Sequence, residues 1–473
     1  MPIKIALPKG QLLSETSTLL QEADWRLDGY HQTTRFYHPK SQRFPDLSAK
    51  VFQEKDIPVQ VAIGNYDLGI CGLDWIEELL AKYPDSSLVK IRNLAYGNGT
   101  LYLVASHSEG ELTTAKLRTR TKPVRIASEY PNIAESFALK NRLRQFHIFP
   151  VWGRAEVYPP ESADLALLAR KNDKPLNHDM LPVSNVLDFS AFLIANKHSW
   201  ETKDLSDIVA SIENIGIPFS NKPTPKGGKG DGEASVIQRQ YQDGNMVRLA
   251  LPDGHQQGST IDLLSRAGLK INDYQLNSGN RQPAPSLPGL TIKVIRPQDM
   301  PLQVANCNFD LAITGKDWLR EHLYQFPSSP VTELLDLKFG KVKIVAVVIN
   351  GLPANDIHGL KQLSAEQQTP LRVASEYTNI ADKYARDNHL GMYRIIPTWG
   401  ASEAFLPEDA DLLIENTQTG KTIAKHNLKI IDALFESTAC LIGHSGSVSN
   451  HAKKKKIADI IGFLKTAVED KPI

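Results

Sequence analysis

Cysteine is nearly missing from this chain. Cys71, Cys307 and Cys440 are the only three in 473 residues, and they stand far apart. Such spacing makes neither a disulfide framework nor a zinc set and suits a reducing cytoplasm. There is no uninterrupted apolar run of roughly 18 residues, so no membrane span is expected. The opening MPIKIALPKGQLLSET has no long apolar stretch before a small-residue cleavage site, and a cytoplasmic location follows as the expectation. Charge of one sign is also lacking. The net charge is +1, which gives no basis for broad nucleic-acid binding. The 13 histidines are scattered without HExxH or another ligand spacing, and no metal-ligating side-chain set is expected. Neither a Ser-His-Asp set nor an activated cysteine is evident. The one basic run, Lys453 to Lys456, reads as a solvated helix face.

What the chain has is itself, twice. KIALPKG at 4–10 answers RLALPDG at 248–254, and KDIPVQVAIGNYDLGICGLDWI at 55–76 answers QDMPLQVANCNFDLAITGKDWL at 298–319. LAYGNGTLYLVAS at 94–106 answers LKFGKVKIVAVVI at 337–349. RIASEYPNIAESFA at 125–138 answers RVASEYTNIADKYA at 372–385, and PVWGRAE at 150–156 answers PTWGASE at 397–403. Five matches in one order, at a period of about 245 residues, mark a duplicated domain. Between the copies, NKPTPKGGKGDGEAS at 221–235 is almost without apolar residues, the composition of a flexible linker. The expected division is therefore 1–220, a linker at 221–245, and 246–473. Apolar strands such as KIALP and RLALP precede segments of helical periodicity, which predicts an α/β fold with mainly parallel sheets. Ligands in such sheets sit at the carboxyl ends of strands, where the LPKG turn and the loop after DADLLIE both fall.

That second loop, DADLLIENTQTGKT at 409–422, is the sharpest chemical signal. A strand over Leu412 to Ile414 is expected to end at Glu415, with a helix starting near Ile423. Gly420 lets the backbone approach an anion, and Thr419 and Thr422 offer hydroxyls. Backbone N–H groups at the helix start favour a phosphomonoester. Glu415 is placed to accept hydrogen bonds from ribose hydroxyls. The loop is not a Walker A sequence, since GxxxxGK[ST] is absent. A polar turn with a threonine helix cap is the alternative.

With LPKGQL at 7–12, RPQDMP at 296–301, DLAITGKD at 310–317, ELLDLKFGKVKIVAV at 333–347 and ENTQTGKT at 415–422, the chain resembles the ATP phosphoribosyltransferase family over nearly its whole length, twice over. The resemblance implies an α/β fold of two tandem copies of a two-lobed domain like the type 2 periplasmic binding proteins, with a cleft between lobes. It implies transfer of a phosphoribosyl group from phosphoribosyl pyrophosphate to N1 of ATP, with Mg²⁺ assisting departure of pyrophosphate, as the first step of histidine biosynthesis. It places the substrates on Glu415, Asn416, Thr417, Gln418, Thr419, Gly420, Lys421 and Thr422, on Glu376 and Tyr377, and on Lys9. Arg296, Arg281 and Lys316 are the candidates for the pyrophosphate and triphosphate oxygens. The chain is similar to the family's short form, doubled, whose partners would be further copies or a regulatory subunit resembling histidyl-tRNA synthetase.

Each copy departs from the pattern. In the first, Leu168 stands at the place of Glu415, Asn172 at Thr419, Asp173 at Gly420 and Pro175 at Thr422. A carboxylate there repels phosphate, and a proline removes a donor. In the second, Asp253 replaces the lysine that survives as Lys9. The expectation is a working site in the second copy and a supporting pseudo-subunit in the first. A composite site, in which Lys9 is completed by Arg281 and Arg296, is the lesser alternative. A catalytically dead regulatory paralogue and a small-ligand sensor of the same fold are the rival functions. Trp152 and Trp399 are expected to pack under adjacent loops, with adenine stacking as the sharper alternative.

Overall fold

The computed structural model describes residues 3–31, 36–109, 112–171, 179–213, 246–276, 280–366, 369–449 and 451–469. The expected linker, 221–245, lies outside these residues. The chain forms two compact units. Unit 1 comprises Met1–Pro150 with Tyr158–Gln242, and unit 2 comprises Val151–Val157 with Asp243–Ile473. The short segment Val151–Val157, from the first sequence copy, is a feature that the repeat alone did not reveal.

Both units are built in the same way. In unit 2 one sheet orders Leu290–Ile295, Val247–Pro252, Leu311–Gly315, Ala439–His444 and Val331–Asp336. The second orders Tyr393–Pro397, Leu371–Ser375, Leu412–Thr417, Val342–Ile349 and Leu428–Ser437. In unit 1 the matching series are Leu47–Gln53, Ile3–Lys9, Leu68–Gly72, Ala191–Asn196 and Leu88–Asn93, with two short strands at the edge, and then Phe146–Pro150, Val124–Ser128, Leu165–Lys171, Gly99–Ser106 and Met180–Phe189. The first sheet of each unit thus takes the beginning and end of its copy, and the second sheet takes the middle.

The sheets are mixed, where the sequence predicts mainly parallel ones. Val247–Pro252 runs parallel to both its neighbours, but Ala439–His444 is antiparallel to both of its own. The reason is the path of the chain. Ten-residue strands, Met180–Phe189 and Leu428–Ser437, leave one sheet and lead within two residues into Ala191–Asn196 and Ala439–His444 of the other. A strand that returns directly, without a crossover helix, enters against the direction of its neighbours.

Apolar runs on these strands build a core in each lobe. Leu249, Leu251, Ile292, Val294, Leu311, Ile313 and Leu441 fill the first lobe of unit 2 together with Ile457, Ile460 and Leu464 of the last helix, His451–Glu469. Each such side chain contributes about 1.5–3 kcal/mol on burial. The second lobe packs Ile344, Ala346, Val373, Tyr377, Ile380, Leu412 and Ile414 around Trp318.

The basic run at the start of the last helix is only partly a solvated face. Lys454 and Lys455 are exposed, but Lys453 is 8% exposed and its Nζ donates to both oxygens of Asp310 at 2.9 Å. The helix register turns this one lysine inward, and Asp310, 1% exposed, also accepts from Ser447 Oγ and the backbone N of Arg248. Unit 1 repeats the arrangement. Asp67 accepts from Lys203 Nζ, Ser199 Oγ and the backbone N of Lys4. Burial alone would raise the Asp310 pKa, but bonds from Ser447, Arg248 N and Lys453 outweigh it and hold the carboxyl below its ordinary 3.8. Because the folded value is the lower one, this stability is present above the unfolded pKa and is lost as pH falls through the folded pKa. Asp310→Ala should cost about 3–5 kcal/mol near neutral pH, because it strands a buried ammonium. Urea unfolding across pH checks this, and Asp310→Asn should approach wild type in stability as the pH drops below about 3.8.

Candidate active site

The loop from Glu415 to Thr422 leaves the second lobe of unit 2 at the end of Leu412–Thr417. The strand runs past Glu415, because Val345, Ile344 and Lys343 of the neighbouring strand continue the pairing through Glu415, Asn416 and Thr417. The helix begins at Lys421, two residues before the sequence suggests, and ends at Lys425. At five residues it contributes little dipole, so the expected contribution of the helix end to anion binding is small. What the loop presents in front of the strand is therefore the turn itself. Gly420 has φ 71°, and a side chain there would meet nothing within 4 Å, so a conformation that favours glycine and an open space in front of it coincide. The backbone N of Gly420 donates to Thr417 Oγ1 at 2.9 Å, which shapes the turn. Gln418 and Thr419 are exposed beside it. The helix cap position is Gly420, which has no side chain to offer, and the hydroxyl of Thr419 accepts from the backbone N of Lys421 at 3.5 Å.

Glu415 sits at the lip of this turn, half-buried as a residue, with its carboxyl held by neighbours. Ser402 Oγ donates to one oxygen, and the backbone N and side-chain amide of Asn416 donate to the other at 2.8 and 3.0 Å. Desolvation, followed by repulsion from Glu376, pushes the Glu415 pKa up to about 8. Ser402 is a site residue that sequence reasoning missed. Its signal was only its place in the repeated PTWGASE segment.

Tyr377 is placed differently from the expectation. It is 1% exposed, too deep to touch a substrate. Its hydroxyl donates to Asp317 Oδ2 at 2.7 Å and accepts from Asn416 Nδ2 at 3.1 Å, so it holds the loop from behind. Ser437 Oγ donates to the other oxygen of Asp317 at 2.8 Å. Gly315 is required here, because a Cβ would collide with Asp317 Oδ1. Beside this, Glu321 takes the backbone N–H groups of Asn379 and Ile380 at 2.8 Å each. The start of the helix Thr378–Asp387 is thus capped by a distant glutamate and not by Ser375 or Asn379. Trp152 packs edge-on against Trp318, with centroids 5.7 Å apart, and its backbone N donates to Asp299 at 2.9 Å. Its role in unit 2 is packing.

Within unit 2 the basic candidates separate into two places. Arg281 and Arg296 converge on Asp253 at 3.2 and 3.5 Å, at the end of Val247–Pro252. Lys316 is engaged elsewhere. Its Nζ lies 2.8 Å from Glu333 and 3.0 Å from Asp336, a pairing that neutralises it. Lys9 is in unit 1, where its Nζ donates to Tyr37 OH at 3.1 Å. At the position matching Glu415, unit 1 carries Leu168, 5% exposed. Asn172, Asp173 and Pro175 lie outside the described residues. Among the described residues no three acidic, histidine or cysteine groups form a metal cage, the three cysteines are free, and no helix is long and apolar enough to cross a membrane.

The family model of ATP phosphoribosyltransferase (HisG) matches residues 53–215 and again 296–466. The ATP phosphoribosyltransferase of Prosthecochloris aestuarii is 31% identical over 225 residues, 47% of this chain and 72% of that protein. The enzyme of Chlorobaculum parvum is 30% identical over 226 residues, with shares of 47% and 72%. Among solved structures, a chain of the ATP phosphoribosyl transferase (HisG:HisZ) complex from Thermotoga maritima is similar at 19% identity and a TM-score of 0.40, over 48% of this chain and all of that one. The periplasmic aliphatic sulphonate binding protein SsuA from Escherichia coli is similar at 13% identity and a TM-score of 0.30, over 47% of this chain and 68% of that one.

The Glu415 carboxyl gives the unliganded protein a distinct pH signature. Its pKa is higher in the folded chain than its ordinary 4.5. Its contribution to stability is therefore fully present below the unfolded value and is lost as pH rises through about 8. Glu415→Gln removes that titration. Thermal unfolding of the two proteins should show the variant gaining on wild type between about pH 5 and about pH 9. A constant difference across that range would contradict the assignment.

Proposed function

The chain belongs to the ATP phosphoribosyltransferase family, and we propose that unit 2 transfers the phosphoribosyl group of phosphoribosyl pyrophosphate to N1 of ATP, releasing pyrophosphate in the first step of histidine biosynthesis. One observation carries the choice of unit: the phosphate turn and its glutamate are complete in unit 2, while unit 1 has a buried leucine at the glutamate's position. In this reading Thr419, Gly420, Lys421 and Thr422 receive the 5′-phosphate. Glu415 accepts hydrogen bonds from the ribose hydroxyls, supported by Ser402 and Asn416. Arg281 and Arg296 take the polyphosphate oxygens, which guanidinium forks bind in pairs.

The acceptor needs no strong base, because adenine N1 already carries a free lone pair. What the protein supplies is alignment and charge. Holding two reactants in line removes ~7–11 kcal/mol in favourable cases, and preorganised donors stabilise the charge on the leaving group. With no protein cage of three ligands among the described residues, Mg²⁺ is proposed to arrive bound to phosphoribosyl pyrophosphate, as magnesium commonly does with substrate phosphates. Bound there, it would neutralise the departing pyrophosphate. Further copies of the chain, or a regulatory subunit resembling histidyl-tRNA synthetase, are the proposed protein partners, in the cytoplasm.

Incubation of the purified chain with Mg²⁺, ATP and phosphoribosyl pyrophosphate should yield the N1-ribosylated adenine chromophore and pyrophosphate. Binding of phosphoribosyl pyrophosphate near pH 7 should also release a proton from Glu415, since hydroxyl donors favour its ionised form. Calorimetry in buffers of differing ionisation enthalpy reads this, and Glu415→Gln should abolish it. Gly420→Asp, which puts a carboxylate into the turn, should eliminate both binding and turnover. Binding without any product, even with a regulatory subunit added, would favour a sensor or a dead paralogue.

A further inference from the structure

Asp253 is where unit 2 departs from the LPKG motif that unit 1 keeps, and two other positions change with it. The backbone fixes the correspondence. Tyr30 OH donates to the carbonyl of Pro8, and Tyr274 OH to that of Pro252, the residues just before Lys9 and Asp253. The carbonyl of Tyr37 accepts from Val51 N, and that of Arg281 from Val294 N, both at 2.9 Å. Gln53 pairs in register with Lys9, and Arg296 follows Ile295, the partner of Pro252. Lys9, Tyr37 and Gln53 therefore correspond to Asp253, Arg281 and Arg296.

In unit 1 the ammonium of Lys9 donates to Tyr37 OH and lies 4.9 Å from its ring centroid. In unit 2 the carboxylate lies between two guanidiniums, at 3.2 and 3.5 Å. Both sets carry one net positive charge. The Asp253 side chain is 8% exposed, whereas those of Arg281 and Arg296 are 20% and 41% exposed. The anion is thus the covered member and the cations face outward. Desolvation first, and then Arg154, lower the Arg281 pKa, against which Asp253 and Glu156 act.

We propose that Asp253 is a positioning residue that clamps Arg281 and Arg296 into a fork for the polyphosphate group of a substrate. This rests on the reading of unit 2 as a phosphoribosyltransferase site. Each guanidinium has five N–H donors. Arg281 donates one hydrogen bond to Asp253 Oδ2 and Arg296 lies in ion-pair range of Oδ1, which leaves the remaining donors for phosphate oxygens. Without the carboxylate, Arg281, Arg296 and Arg154 repel one another and the fork opens.

The test uses the intact chain and inorganic pyrophosphate, followed by titration calorimetry and by unfolding temperature. Arg281→Ala and Arg296→Ala should each weaken pyrophosphate binding about tenfold or more. Asp253→Asn should weaken it to a similar extent although it removes a negative charge, and Asp253→Glu should restore part of the affinity. Asp253→Lys alone brings cations together and should lower the unfolding temperature. Asp253→Lys with Arg281→Tyr and Arg296→Gln, the unit 1 set, should recover it. Equal or tighter pyrophosphate binding by Asp253→Asn would overturn the proposal and leave the fork itself, and the proposed reaction, standing. Unchanged binding in both arginine variants would remove the fork, whether or not product forms in the assay with both substrates.

Discussion

A buried carboxylate joins the two sheets of each unit, and the site in unit 2 hangs from it. Asp317 opens a helix of the first lobe, and Tyr377 and Ser437 reach it from the second. In unit 1 Tyr130 reaches Asp74 at the same 2.7 Å. Such a group is tolerated inside only because its oxygens are satisfied. The satisfaction comes from the opposite lobe, so the bond is also a geometric constraint. The Tyr377 hydroxyl accepts from Asn416 and thereby ties the loop after Glu415 to the same point. Glu321 and Glu78 do parallel work by capping helices of the other lobe.

The two units have the same scaffold and different fittings. The shared parts are the inward-facing Asp67 and Asp310 with their lysines, Glu78 and Glu321, and Asp74 and Asp317, and in addition the part-exposed pairs of Arg125 with Asp164 and Arg372 with Asp411. Removal of either member of such a pair leaves a charge or donor unsatisfied in a poorly solvated place. The differing parts lie in the carboxyl halves of strands and just beyond their ends, where Leu168 answers Glu415 and Lys9 answers Asp253 in the comparison of the copies. There the backbone is held by the sheet, and side chains can change without loss of the core. A duplicated domain can therefore exchange Glu415 for Leu168 between its copies and keep its fold.

Much of this was legible beforehand. The repeat, its α/β character and the turn around Gly420 follow from local pattern, because a strand, a glycine with positive φ and a cluster of hydroxyls each leave a mark within a few residues, whereas the two-lobed form of each copy was implied by the family resemblance. What was not legible depends on partners far apart in the chain. Lys316 looked free for a ligand because its acids, Glu333 and Asp336, are supplied by another strand. Tyr377 looked like a cleft residue because the depth of a strand-to-helix turn is set by what packs over it. Lys453 looked solvated within a run of four lysines, and the helix register against Asp310 decided otherwise.

The sequence by itself determined the duplication, the α/β alternation, and the residues that stand in the first copy where the second has Glu415, Thr419, Gly420 and Thr422, since periodicity and residue type carry that information locally. The tertiary structure decided which charges are available. Asp253 and Arg281 are 28 residues apart, Ser402 and Glu415 come from different elements, and the segment Val151–Val157 packs in unit 2 although it belongs to the first copy. Coulomb interactions and desolvation depend on distance and burial in three dimensions. The raised pKa of Glu415 and the arginine fork around Asp253 therefore became visible only once the chain was folded.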